Sequence, residues 1–255
     1  VVFCGWPRLL ILERLSVRPF AVVGHRGAAG RAPENTLRAV EYAIRVGVDV
    51  VEIDVRATGD SKLVVLHDPD LRRLAGLDVP VGGVDYGWIR ENVRVGGEPV
   101  PLLEEVLELV RGADVGLFIE VKEPPTVGRV VELVRRYGLV YRVAIVSFYE
   151  EALVRARELE PGVALGLIYS QPPGRVLDAA RLGARVVLPH HRLATRRAVD
   201  LAHRYGLRVV AWTVNDRGRA LELASEGVDG LASDVPDEMV KLRSELRQRG
   251  GTPKT

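Results

Sequence analysis

Eight short runs rich in β-branched residues recur along the chain, with helical stretches between them. They are FAVVG (20–24), VDVVEIDV (48–55), VGLFIEV (115–121), RVAIVS (142–147), VALGLIY (163–169), RVVLP (185–189), RVVAWTV (208–214) and VDGLAS (228–233). From 115 onward their spacing is that of one strand, one helix and two short turns. The linkers 101–113 and 216–227 read as amphipathic helices, and Gly138, Gly183, Gly206 and Gly227 stand where helices should stop. Strands that are apolar on both faces belong to parallel sheets covered by helices. Eight such units in 255 residues predict an α/β fold, a single-domain TIM (β/α)8 barrel. An open doubly wound sheet is the alternative, because a strand count does not close a barrel. No interdomain linker is visible. The barrel is assigned to 20–248, with a packing segment at 1–19, an insertion at 69–100 and a frayed tail.

Charge narrows the function classes. Lys+Arg number 36 against Asp+Glu 34, a formal net charge of +2, so nothing global points to nucleic acid. The opening apolar run is broken by Pro7 and Arg8 and is too short to span a bilayer, so no stable membrane insertion is expected. It also lacks a secretory leader pattern. The single cysteine, Cys4, permits no internal disulfide and fits a cytoplasmic location. Nothing in the sequence sets the oligomeric state.

After the second strand, RATGDSKLVVLHD (56–68) is too short for a strand, a helix and a second strand. Gly59-Asp60 suits a two-residue hairpin tip. That register would set His67 opposite Glu52, with Asp54 on the same face. A one-residue slip would scatter them. The stretch 69–100 reads as irregular, with a short helix at 86–92, and such insertions often cover a site.

In a barrel the C-terminal strand ends carry the chemistry. Those ends hold His25 and Arg26, Glu52 and Asp54, Glu120 and Lys122, Ser147 and Phe148, Trp212 and Asn215, and Ser233 and Asp234. Converging carboxylates repel unless neutralised. A divalent cation would do this, and an all-oxygen set selects Mg²⁺ or Ca²⁺ over zinc. The alternative is an ion-pair network with Arg26 and Lys122 and no metal. His25 and His67, beside these charges, suit general acid and base. His190, His191 and His203 read as ordinary core or surface residues. In VGHRGAAGRAPENT (23–36), Gly27 and Gly30 are expected to expose N–H groups ahead of a helix starting near Asn35, which favours an anion. Arg26 adds a planar fork matched to phosphate oxygens.

These residues resemble the glycerophosphodiester phosphodiesterase family. The matching blocks are GHRG with PENT downstream (24–36), VEIDVRAT (51–58), VVLHDPDLRRLAG (64–76), PLLEEVL (101–107), FIEVK (118–122), VSF (146–148), AWTVND (211–216) and DGLASDVP (229–236). The resemblance implies a TIM barrel and metal-dependent hydrolysis of glycerophosphodiesters to glycerol 3-phosphate and an alcohol. It matches His25 and His67 to the acid/base pair, and Glu52, Asp54 and Glu120 to the metal ligands. Arg26 matches a phosphate contact, Lys122 lies in the E-x-K pattern, and Phe148 and Trp212 match pocket-lining aromatics. Two departures stand out: a short cap after His67, and GDSK at the hairpin tip. The attacking hydroxyl is water or the substrate's own glycerol 2-hydroxyl, and the sequence does not say which histidine is acid and which base. Two other readings remain. One is phospholipase D-type cleavage of lysophospholipids, with an apolar groove near Trp88, Phe148 and Trp212. The other is a non-catalytic module that binds phosphate esters.

Overall fold

A computed structural model describes residues 10–250. Residues 1–9 of the expected packing segment, Cys4 among them, lie outside the described residues. The strands are β1 (Ala21–Gly24), β2 (Val50–Ala57), β3 (Leu63–Val65), β4 (Arg94–Val95), β5 (Glu98–Pro99), β6 (Gly116–Val121), β7 (Val143–Ser147), β8 (Ala164–Tyr169), β9 (Val186–Pro189), β10 (Arg208–Ala211) and β11 (Gly230–Ser233). The helices are α1 (Leu10–Arg14), α2 (Leu37–Val46), α3 (Arg72–Ala75), α4 (Tyr86–Asn92), α5 (Leu103–Arg111), α6 (Val127–Arg136), α7 (Glu150–Leu159), α8 (Val176–Arg181), α9 (Arg196–Arg204), α10 (Arg217–Glu226) and α11 (Pro236–Gly250). Eight parallel strands run in the order β1-β11-β10-β9-β8-β7-β6-β2. Pairing of Val23 with Val50 and Gly24 with Val51 then joins β2 back to β1. The sheet therefore closes, which decides for the barrel over the open sheet. No helix among the described residues is long and apolar enough to cross a membrane.

Alternation along each strand sorts residues into two cores. Val51, Ile53 and Val55 of β2, with Leu117, Ile119 and Val121 of β6, face outward beneath the helices. Val50 and Phe118 face inward with Val146, Ile168, Leu188 and Val210. The lower end of that interior is filled by Ile11 and Leu15, both fully buried, from α1 and the residue after it. Burying each is worth about 1.5–3 kcal/mol. So the opening segment, from Leu10 onward, packs on the barrel.

The turn after β1 leads into α2, which starts at Leu37 behind a Thr36 cap whose Oγ1 accepts from the Ala39 N–H at 3.2 Å. Gly27 adopts φ +81°, and a Cβ there would come within 2.6 Å of the Ala39 carbonyl carbon. Gly27→Ala is therefore expected to cost about 2–4 kcal/mol, from left-handed backbone and overpacking against α2. Thermal unfolding should show a clear fall in Tm; an unchanged Tm would contradict this close approach.

The β2–β3 hairpin departs from the expected register by one residue. Val55 pairs with Val65, Arg56 with Val64 and Ala57 with Leu63. The loop is three residues, not two. Thr58 N–H donates to the Lys62 carbonyl at 3.0 Å, and Ser61 takes the left-handed conformation with φ 60°. Glu52 and His67 are thus not cross-strand partners, and the ladder ends at Val65. The insertion 69–100 is also more ordered than expected. It holds α3, α4 and the β4–β5 pair around its own small core of Leu71, Val81, Ile89, Val93 and Val95. It grips the hairpin tip: Gly59 N–H donates to the Val84 carbonyl at 2.8 Å, and Tyr86 N–H to Asp60 Oδ1 at 2.9 Å.

Candidate active site

The site grows from the alternation of β2 and β6. Glu52 and Asp54 share the inward face of β2, and the parallel register sets Asp54 beside Glu120 of β6. All three are buried, and one oxygen of each lies within 4.8 Å of the others. Lys122 Nζ reaches Asp54 Oδ1 at 2.8 Å and Glu120 Oε1 at 2.5 Å. Arg26 Nε lies 3.4 Å from Asp54 Oδ2, and Asn35 Nδ2 donates to the same oxygen at 2.8 Å. Burial works against a charged Asp54, but the Lys122 and Arg26 charges outweigh it and hold its pKa well below the usual carboxylate range. Burial and the Asp54 charge push Glu52 up, and push Glu120 up to about 8. Without a cation the cluster therefore retains a proton near neutral pH.

The residues fit a metal on an observation of their own. Glu52 Oε2 accepts the Arg26 backbone N–H at 2.8 Å, but Glu52 Oε1 is buried with no hydrogen-bond partner. The ion-pair network read as the alternative is present around Asp54, yet it leaves this oxygen unserved. A buried acceptor without a partner costs about 1–3 kcal/mol. Three carboxylates around it are a donor set for a hard divalent cation.

Both histidines line one cavity with Glu52, Glu120, Arg26 and Lys122. His25 follows β1, and its Nδ1 meets Asp234 Oδ1 at 2.7 Å while Nε2 lies 3.9 Å from Glu52 Oε2. His67 Nδ1 meets Asp68 Oδ1 at 2.7 Å. A carboxylate on Nδ1 fixes the tautomer and leaves Nε2 for chemistry. Burial opposes charge on His25, but the Asp234 hydrogen bond and the Glu52 charge outweigh it and raise its pKa. Burial lowers the pKa of His67; the Asp54 charge and the Asp68 hydrogen bond do not offset it, and the Lys122 and Arg26 charges add to it. One ring is thus biased toward the charged form and the other toward the neutral form. His67 arrives not by strand pairing but just past β3, where Arg56 Nε donates to its carbonyl at 2.8 Å.

The glycine-rich turn works differently from the expectation. Gly27 N–H donates to the Glu52 carbonyl at 3.0 Å and Gly30 N–H to the Asp234 carbonyl at 2.8 Å. These donors hold the site's own strands and are not free for a phosphate. Arg26 lines the cavity, with Nη1 on Glu34 Oε1 at 2.9 Å. Phe148 and Trp212 meet edge to face at 5.8 Å and join Phe118, Val146, Ile168 and Leu188 in an apolar wall. Trp88, expected beside them, lies on α4 and is not among the cavity's lining residues. His190, His191 and His203 do not line the cavity either.

Asp234 and Asn215 stand at predicted strand ends, and nothing local in the sequence gives them a role. Asn215 Nδ2 donates to Asp234 Oδ2 at 2.6 Å, so both stand behind His25. Asp68, Glu34 and Arg73 form a second support. Arg73 Nε donates to Asp68 Oδ2 at 2.6 Å, and its Nη atoms donate to both oxygens of Glu34 at 3.0 and 2.5 Å. The only local signal was an acidic residue directly after His67.

Comparison with known proteins places this constellation. The profile of the glycerophosphoryl diester phosphodiesterase family matches residues 25–238. The chain is 32% identical over 240 residues to the Bacillus subtilis protein YhdW, covering 86% of this chain and 96% of that one. It is 30% identical over 245 residues to a glycerophosphodiester phosphodiesterase of Bacillus altitudinis, covering 89% and 99%. Among solved structures, an Oleispira antarctica phosphodiesterase in complex with the product sn-glycerol-3-phosphate superposes with a TM-score of 0.81 at 29% identity, covering 87% of this chain and 96% of that one. The chain belongs to the glycerophosphoryl diester phosphodiesterase family.

Proposed function

We propose that the chain hydrolyses glycerophosphodiesters to glycerol 3-phosphate and an alcohol. The observation that carries this reading is the pair of histidines, each held at Nδ1 by a carboxylate, lining one cavity with the buried acids Glu52 and Glu120. Glu52, Asp54 and Glu120 would hold one divalent cation, Mg²⁺ or Ca²⁺. Once bound there, such an ion would supply neutralising charge for the phosphate. Arg26 contributes fixed positive charge to the same phosphate. Lys122 keeps Asp54 and Glu120 aligned and adds charge at the cavity wall. His67, biased neutral, takes the proton of the attacking hydroxyl, either from water directly or from the glycerol 2-hydroxyl, in which case water opens the resulting cyclic phosphate in a second step. His25, biased toward the charged form, gives its Nε2 proton to the leaving alkoxide. The Phe148–Trp212 wall packs against the apolar part of the substrate.

The apolar wall also favours a second reading, cleavage of lysophospholipids at the same bond. Product chemistry separates the two. Glycerophosphocholine, glycerophosphoethanolamine and lysophosphatidylcholine are each offered to the protein with Mg²⁺ or Ca²⁺. Release of glycerol 3-phosphate as the dominant product is expected. Dominant release of lysophosphatidic acid would favour the second reading. Binding of all three with no product would leave a phosphate-ester binding module. Activity that survives chelation and dialysis would remove the cation from the reaction.

A further inference from the structure

Positive charge is not spread evenly over this chain. Residues 170–200 carry six arginines against two aspartates, while the whole chain has a formal net charge of only +2. Three segments that follow β7, β8 and β9 emerge at the barrel end that holds the candidate active site. Two of them, 173–178 and 192–198, line a groove of about 660 Å³ between α8 and the start of α9. Arg175, Arg181, Arg192 and Arg197 border it, and Leu177, Leu193 and Leu201 supply its apolar lining. Arg175 and Arg181 are engaged by Asp178. The exposed side chains of Arg192 and Arg197 have no hydrogen-bond or ion-pair partner among the described residues.

Exposed apolar groups accompany these cations. Leu177 is 43% exposed and Tyr149, in the segment after β7, is 53% exposed. Arg175 bonds Glu150, which ties that segment to the groove. The face continues into the active-site cavity: His190, two residues before Arg192, packs edge-on to Trp212 at 5.6 Å, and Trp212 lines the cavity. Unpaired guanidiniums beside exposed aromatic and aliphatic side chains are the pattern that anionic lipid attracts, through surface potential and shallow burial at the headgroup level. Nucleic acid would be matched by the charge but not by the leucines.

We propose that this face, built from Tyr149, Leu177, Arg192 and Arg197, docks the enzyme reversibly on an anionic phospholipid surface with the catalytic mouth beside it. The inference does not depend on which phosphodiester is cleaved. The test is co-sedimentation of the protein with phosphatidylglycerol vesicles and with phosphatidylcholine vesicles at low and high salt. Binding to phosphatidylglycerol that weakens with salt, and little binding to phosphatidylcholine, is expected. Arg192→Ala with Arg197→Ala should weaken it roughly thirtyfold. Tyr149→Ser with Leu177→Ser should weaken it further without changing its salt dependence. Both double variants should keep the parent's Tm and its turnover of soluble glycerophosphocholine, which separates docking from folding and catalysis. Equal binding to both vesicle types would overturn the proposal, as would unchanged binding after loss of both arginines. Competition by RNA as effective as that by phosphatidylglycerol, lost in the arginine variant but kept in the Tyr149/Leu177 variant, would assign the face to a polyanion and also overturn it.

Discussion

Replacing His67 with alanine is expected to lower kcat on glycerophosphodiesters by about 10²–10⁴-fold, and His25→Ala should do the same. The two losses should differ in their pH dependence. Under the proposed assignment His67 works neutral, so activity should rise as pH rises through its pKa, which lies below the ordinary 6.5. Under the same assignment His25 works protonated, so activity should fall as pH rises through its pKa, which lies above 6.5. The parent enzyme should therefore show a plateau that straddles this value. His67→Ala should lose the acidic limb and His25→Ala the alkaline one. Asp234→Asn removes the charge that supports His25⁺, so its alkaline limb should move to lower pH while the acidic limb stays. If both histidine variants turn over substrate at near-parent rates with cation present, the acid/base assignment fails.

The second large effect concerns the three acids. Glu52→Gln should weaken divalent cation binding by more than about 100-fold, because removing a direct ligand should exceed the 10–100-fold loss seen for outer partners. Proton linkage gives a readout apart from activity. Glu120 has a pKa pushed up to about 8, against an ordinary 4.5. The folded chain therefore binds this proton more tightly than the unfolded chain does. Its contribution to stability is full below pH 4.5, declines as pH rises and is gone above about 8. Cation binding must displace the same proton, so affinity should rise with pH and level off above that point. Calorimetry in buffers of different ionisation enthalpy should detect proton release on binding at pH 7, and added cation should restore thermal stability most at alkaline pH. Binding with no proton release at pH 7 would count against a cation held by Glu120.

How much of this could be read from the chain follows from which interactions are local. Strand positions were legible because burial on both faces makes near-continuous apolar runs. Glu52, Asp54 and Glu120 stood out because charge inside such a run is costly unless it serves a site. The hairpin was misread by one residue because Ser61 takes a left-handed conformation without being glycine or asparagine, which lengthens the loop. His67 still reaches the cavity, since the chain leaves the ladder after Val65 and no pairing rule governs it there. The glycine turn was read as an anion cradle because its donors looked free. Their acceptors, the carbonyls of Glu52 and Asp234, come from distant strands that no local pattern reveals. The supports of the histidines were hidden for the same reason, except Asp68, which is adjacent in sequence.

Arg73 belongs to the cap formed by the insertion, yet it grips Asp68 behind His67 and Glu34 behind Arg26. The cap is thereby fastened to both sides of the catalytic mouth through a single guanidinium. Substitutions in that insert should be tolerated only away from its buried core, from the hairpin contacts of Val84 and Tyr86, and from this rivet. Loss of Arg73 should release Asp68 and Glu34 together, and so loosen the settings of His67 and Arg26 at one stroke.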